Sequence, residues 1–314
     1  MKIAVLFPGQ GSQYLGMGQE FRKQYSQCDA LMTLAEKVCD INLGQISDEG
    51  PMEKLTRAAT LQPAITVANL ICWQAFLQET AGRFDVSCFA GHSLGEYSAL
   101  YGAGVISAED AIRLVAKRGA LMEREGDKNP GGMRALLGLN IEKVDQLIAA
   151  YDGPGVVTVA NHNTPEQIVV SGTMEGLDGV TKLAEEAGAK VIPLNVSVAN
   201  HSPLVAQAVP DFTRFLADIT FSAPSVPVYF NVSAKTESEP EVMKERMAKQ
   251  IASKVRWYEI ISSMMESGVD TFIEIGPKTV LKGMMRKIAP KGANVTSLQF
   301  DTPETLTKCI ETLG

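Results

Sequence analysis

Residues 91–95 read Gly-His-Ser-Leu-Gly, and a serine held between two glycines is a pattern in which a hydroxyl can become a nucleophile. An apolar run over 86–90 leads into the pentapeptide, and a helix-compatible stretch over 96–101 leads out of it. Strand, sharp turn and helix together fit a nucleophile elbow, in which the hydroxyl of Ser93 stands proud of the sheet edge. Backbone N–H groups gather at such a turn and can receive an oxyanion. A side chain at Gly91 or Gly95 would crowd it. In a chain with 27 glycines the same residues could also be an ordinary glycine-rich turn; the strand and helix on either side favour the nucleophile.

A serine nucleophile needs a base, and only three histidines are available. His92 adjoins Ser93 and should point elsewhere on the turn. His162 falls in a predicted tight connection, where a solvated histidine is the simpler reading. His201 follows a predicted strand in VSVANHSP and is the better candidate base. No carboxylate announces itself as a third member. Asp211 and Asp218 read as solvated charges on a helix, and Asp145, Asp152 and Asp178 fall in a different subdomain, so a group other than a carboxylate could orient the imidazole. Two further features bear on a substrate. Gly9-Gln10-Gly11-Ser12 lacks the Walker lysine and reads better as a backbone N–H donor facing the serine than as a nucleotide loop. Arg118 lies on a predicted helix over 108–125; it is either a solvated charge or, beside a cleft, a two-point grip for a carboxylate.

The elements that must position these groups alternate between strand and helix, which favours an α/β fold with a mostly parallel sheet. Strands are predicted at 3–7, 86–90, 226–232 and 271–275, and helices at 62–79, 108–125, 240–266 and 278–288. Proline at 63 suits a first helical turn. After Asn129-Pro130-Gly131-Gly132 the pattern changes to strand 133–139, helix 141–151, strands 156–161 and 167–171 joined by a turn at 162–166, helix 177–187 and strand 190–196. This β-α-β-β-α-β order is that of a ferredoxin-like unit. The expectation is a discontinuous large domain, 1–126 and 198–314, with an inserted ferredoxin-like subdomain at 127–197 and a ligand cleft between them.

Composition narrows the function. With 314 residues, 45% hydrophobic and 21% charged, the chain can bury a substantial core. A net charge of −7 argues against nucleic acid as a partner. Five scattered cysteines, Cys28, Cys39, Cys72, Cys88 and Cys309, show no C-x-x-C spacing, which suits a reduced cytosol and suggests neither a metal site nor a disulfide framework. No apolar stretch is long enough for a signal peptide or a membrane span, so a cytoplasmic protein is expected.

FPGQGSQ at 7–13, QPA at 62–64, GHSLGEYSAL at 91–100, Arg118-Gly119, His201, the Q-x-x-x-x-V-x-W run from Gln250 to Trp257, and IGPKTVL at 275–281 occur in that order. Together they resemble the malonyl-CoA:acyl-carrier-protein transacylase family across nearly the whole chain. The resemblance implies an α/β-hydrolase-like core with a ferredoxin-like insertion. It implies a ping-pong acyl transfer from coenzyme A to Ser93 and then to the phosphopantetheine thiol of an acyl carrier protein, in fatty acid or polyketide biosynthesis. His201 would be general base and acid, and the backbone carbonyl of Gln250 would hold its imidazole. The N–H groups of Gln10 and Leu94 would form the oxyanion hole, and Arg118 would bind the malonyl carboxylate. No cofactor is implied, malonyl-CoA being a substrate, and a monomer is expected.

Three positions depart from the family pattern. Asn200 stands where malonyl-selective members usually have Phe or Ser, leaving acyl selectivity open. Arg134 stands where a small residue is common, and Lys254 where proline is. A related acyl hydrolase and a docking subunit with a relict site are the competing readings; Arg118 argues against the first, and the intact Ser93, His201 and Gln250 set against the second. Finally, Lys278, Lys282, Arg286 and Lys287 recur at helical spacing in an acidic chain, which suggests a docking face for an acidic carrier protein.

Overall fold

The computed structural model describes residues 1–196 and 198–314. Its large sheet has five strands, β1 (Ile3–Phe7), β2 (Val86–Gly91), β7 (Val228–Tyr229), β8 (Thr271–Ile275) and β9 (Thr296–Phe300), in the order β7-β2-β1-β8-β9 with every pair parallel. All five residues of β1 are buried, as a central parallel strand covered by helices on both faces requires. On one face lies the Ala58–Thr80 helix, buried without interruption from Leu61 to Trp73, and it packs against the amphipathic Ala108–Lys128 helix. They are in close contact at Gly119, where a Cβ would lie 2.4 Å from the carbonyl oxygen of Ala58.

The smaller sheet is formed by β3 (Gly132–Leu137), β4 (Val157–Thr164), β5 (Gln167–Gly172) and β6 (Lys190–Pro193), antiparallel in the order β4-β5-β3-β6. The Ile141–Ala150 and Met174–Glu186 helices cover one face, burying Leu136, Val144, Ile168, Val170 and Leu177. Side chains of Asn140 and Thr173 accept the N–H groups of Lys143 and Gly176 and fix where these helices begin. The opposite face carries Met133, Ala135, Ala160 and Val169. The mixed architecture is the α/β class expected, with a parallel sheet and a separate antiparallel one.

Several boundaries differ from the local expectation, each through a distant contact. The helix predicted from residue 62 begins at Ala58, because the N–H of Ala59 finds the carboxylate of Glu123 at 3.2 Å on the neighbouring helix; Pro63 therefore sits inside it. The solvated turn predicted at 162–166 is wrong. Strand β4 continues through His162 to Thr164 and leaves only Pro165 and Glu166 as the loop. The N–H of His162 donates to the Val255 carbonyl at 2.9 Å and that of Val255 to the Ala160 carbonyl at 2.8 Å, which stitches the small sheet to the large unit. His162 is 6% exposed, its ring against Tyr258. The predicted strand over 226–232 shrinks to two residues, because the N–H of Asn231 turns away to the Glu96 carboxylate. The helix predicted over 240–266 is two, Pro240–Gln250 and Trp257–Glu266, and the residues between them serve His201 and β4.

Candidate active site

Ser93 follows the last residues of β2 and precedes the Gly95–Gly102 helix, with φ of +50°. Both flanking glycines are sterically required. A Cβ on Gly91 would lie 1.9 Å from the carbonyl carbon of Gly95, and one on Gly95 would lie 2.1 Å from the carbonyl oxygen of Phe7. The turn is also braced from outside. The N–H of Ser93 donates to Oδ1 of Asn231 at 2.7 Å, and Nδ2 of Asn231 donates to the Gly91 carbonyl at 2.8 Å. Asn231 is fully buried, and nothing in its local sequence pointed to it.

Nε2 of His201 lies 2.8 Å from Oγ of Ser93. Its Nδ1 faces two backbone carbonyls, Gln250 at 3.0 Å and Ser253 at 2.9 Å. Two acceptors on that side fix the proton on Nδ1 and leave Nε2 as the acceptor that faces the serine. Burial pushes the imidazole pKa down to about 3, and the charge of Arg118 adds to the effect. The ring is therefore neutral near pH 7. His201 itself has φ of +59°, so serine and histidine are both presented from left-handed backbone. The Ser253 carbonyl was not anticipated; only the break between two helices brings it round.

The other titratable candidates lie elsewhere. Nε2 of His92 meets Oδ1 of Asn163 at 2.8 Å, and its ring stands edge-on to Trp257. Asp178 pairs with Arg134, and Asp211 with Arg124 and Arg214. None of the five aspartates considered from sequence is a partner of His201.

Arg118 is 2% exposed and reaches the serine. Nη1 donates to Oε1 of Gln62 at 2.9 Å, and Nη2 donates to Oε1 of Gln250 at 3.0 Å and to Oγ of Ser93 at 3.2 Å. Its guanidinium lies over the Tyr97 ring, and Nε has no partner among the described residues. Among the described residues no carboxylate pairs with it. A buried guanidinium with spare donors and no carboxylate in direct contact among the described residues is suited to an anionic ligand.

Gln10 and Leu94 flank the serine from two chain segments. A Cβ on Gly9 would lie 2.5 Å from the His92 carbonyl oxygen, so the 9–10 loop crosses the elbow in direct backbone contact. Among the described residues neither the Gln10 nor the Leu94 N–H has a hydrogen-bond partner. Ser93, His201 and Gln10 open on a cleft of about 200 Å³ whose far walls are Met133 of the small sheet and Met284 of the Val280–Ile288 helix. A second cavity, about 510 Å³, adjoins it through Gln10 and Asn200. On the Val280–Ile288 helix and the turn before it, Lys278, Arg286 and Lys287 are exposed and Lys282 is partly so; none is in an ion pair among the described residues.

Among the described residues no cluster of three His, Cys, Asp or Glu could hold a metal ion, and the five cysteines are free. Among the described residues no helix is long and apolar enough to cross a membrane.

Residues 5–299 match the family described as acyl transferase domain. The malonyl CoA-acyl carrier protein transacylase of Bacillus subtilis is 39% identical over 314 residues, covering 99% of this chain and 97% of that protein. An acyl carrier protein S-malonyltransferase from Vibrio cholerae has a similar structure, with TM-score 0.92, 35% identity and coverage of 98% and 100%. So does a malonyl-transacylase in complex with its type II PKS acyl-carrier protein, with TM-score 0.94, 34% identity and coverage of 99% and 100%.

Proposed function

The chain belongs to the acyl transferase domain family as a malonyl-CoA:acyl-carrier-protein transacylase, and from that premise we propose how its residues divide the work. The reaction moves a malonyl group from coenzyme A to the phosphopantetheine thiol of an acyl carrier protein, in fatty acid or polyketide biosynthesis. Ser93 is the nucleophile, His201 the general base and acid, and Arg118 the grip on the malonyl carboxylate. The observation that carries this reading is the convergence on one hydroxyl of His201 Nε2 at 2.8 Å and Arg118 Nη2 at 3.2 Å.

In the first half-reaction Oγ of Ser93 attacks the thioester carbonyl while Nε2 of His201 takes its proton. The Gln10 and Leu94 N–H groups stabilise the tetrahedral oxyanion. When the C–S bond breaks, the imidazolium returns the proton to the departing thiolate, leaving malonyl-Ser93 and free coenzyme A. In the second half the carrier thiol gives its proton to His201 and attacks the ester, and Ser93 recovers its proton as the C–O bond breaks. The proton balance closes without a cofactor. Backbone carbonyls behind the imidazole, in place of a carboxylate, orient it without adding a charge. We also read the active form as a monomer. Free thiols fit a cytoplasmic enzyme. We divide the chain into a large unit, 1–126 and 198–314, and an inserted unit, 127–197, whose inner face walls the cleft.

Intact mass after incubation with malonyl-CoA tests the assignment. One malonyl adduct should form and should be absent from Ser93→Ala; an adduct that persists on Ser93→Ala would overturn it.

A further inference from the structure

Glu96 takes no part in the chemistry above, yet the groups that perform it hang from its hydrogen bonds. It lies three residues past Ser93, in the first turn of the Gly95–Gly102 helix, and is 1% exposed. Oε1 accepts the N–H of Asn231 at 3.1 Å, and Oε2 accepts the side-chain amide of Gln250. From Asn231 the connection runs to the N–H of Ser93 and the carbonyl of Gly91. From Gln250 it runs in three directions: Nε2 also donates to the Ser93 carbonyl at 2.8 Å, Oε1 accepts from Arg118, and the main-chain carbonyl accepts from His201. We propose that Glu96 is a positioning residue that sets which way the Gln250 amide faces and, with Asn231, aligns Ser93, His201 and Arg118 as one unit.

The proposal rests on the roles assigned above and on donor–acceptor matching. Glu96 is approached by N–H donors from two sides, so the position needs a group that only accepts, and an ionised carboxylate is the side chain that does. An amide of the same shape would set its NH₂ against either Asn231 or Gln250. If Gln250 turned over to relieve the second clash, its own NH₂ would face the guanidinium of Arg118, and that contact would be lost. The carboxylate thus selects the orientation in which Gln250 offers Arg118 an oxygen. The charged and titratable groups that face Glu96 are Arg118 of the Ala108–Lys128 helix, Arg246 of the Pro240–Gln250 helix and Tyr97 of its own helix. Burial pushes its carboxyl pKa up to about 7, against the hydrogen bonds from Gln250 and Asn231 and the two arginine charges. The aligned form is the deprotonated one, so it is lost as pH falls through that value.

The test is single-turnover malonyl loading across pH, read by intact mass, on the unaltered protein, Glu96→Gln and Glu96→Asp. The unaltered protein should lose rate below about pH 7. Glu96→Gln should load roughly 10- to 100-fold more slowly, with a raised KM for malonyl-CoA and no fall in rate near that pH. Glu96→Asp keeps an acceptor-only group and should recover part of the rate, with the fall displaced along the pH axis. Loading by Glu96→Gln within threefold of the unaltered rate, or an unmoved fall in either variant, would overturn the proposal. Should Glu96→Gln not fold, Glu96→Asp decides alone: a displaced fall supports the proposal, an unmoved one defeats it. A malonyl adduct on Ser93→Ala would instead remove the reading on which it stands.

Discussion

Replacing Arg118 by alanine should separate malonyl transfer from acetyl transfer. A guanidinium has five N–H donors, and three hydrogen bonds are made here, to Gln62, Gln250 and Ser93. Nε is among the donors left over. A malonyl carboxylate reaching these donors would form two charge-assisted bonds, each contributing about 1.5 kcal/mol and the pair about 3 kcal/mol. At about 1.4 kcal/mol per decade, Arg118→Ala should lower kcat/KM for malonyl-CoA by roughly 100-fold. Acetyl-CoA has no carboxylate to offer, so its kcat/KM should change by less than about threefold. Loss of the Arg118 charge would raise the pKa of both His201 and Glu96; burial is the larger cause for His201, which stays neutral, and the two acyl groups are compared on the alkaline side of neutrality, where Glu96 is ionised. Lysine at 118 should recover only part of the loss, since an ammonium cannot meet both carboxylate oxygens in one plane. The assay is transfer of each acyl group to a carrier protein, with the rate measured against acyl-CoA concentration. If Arg118→Ala depresses malonyl and acetyl transfer by one common factor, the arginine only braces the pocket and the carboxylate grip lies elsewhere.

His201→Ala should slow loading by on the order of a thousandfold, while His162→Ala should load normally; the reverse result would reassign the base. Gly95→Ala forces a Cβ to 2.1 Å from the Phe7 carbonyl oxygen, so it should cost about 3 kcal/mol or more and lower Tm in a melting scan. An unchanged Tm would show that the elbow can open. Arg286→Glu with Lys287→Glu should raise the KM for carrier protein by about tenfold at low salt and leave that for malonyl-CoA unaltered. Equal effects on both would instead mark these residues as contacts for the phosphates of coenzyme A.

What could be read from the sequence is what local geometry forces. Gly91 is needed by the backbone of Gly95 itself, so the tight turn could be inferred from the pentapeptide, whereas the need for Gly95 comes from Phe7 on the first strand and lies outside it. The β-α-β-β-α-β order of the small sheet follows from periodicity alone. The supports were illegible because their partners are far off in the chain. Asn231 reaches Ser93 across 138 residues, and the Gln250 amide reaches Glu96 across 154. His162 looked like a turn residue because His-Asn-Thr-Pro-Glu has turn composition. Its strand is extended by pairing with Val255, which no window around 162 contains. Likewise, periodicity runs on through 250–257, and the break answers to two distant partners, the His201 imidazole held by two carbonyls and β4 paired with Val255.

The distances along the chain between serine, histidine and the carbonyls behind it impose an order on biosynthesis. His201 lies 108 residues after Ser93, and the carbonyls that hold it come 49 and 52 residues later still. A chain leaving the ribosome therefore exposes its glycine-flanked serine long before it can complete the base. A truncated product ending before Gln250 would retain the hydroxyl but lack both stops for the ring. Such a fragment should consume malonyl-CoA far more slowly than the full chain, so acylation of Ser93 should await folding of the segment that carries both carbonyls.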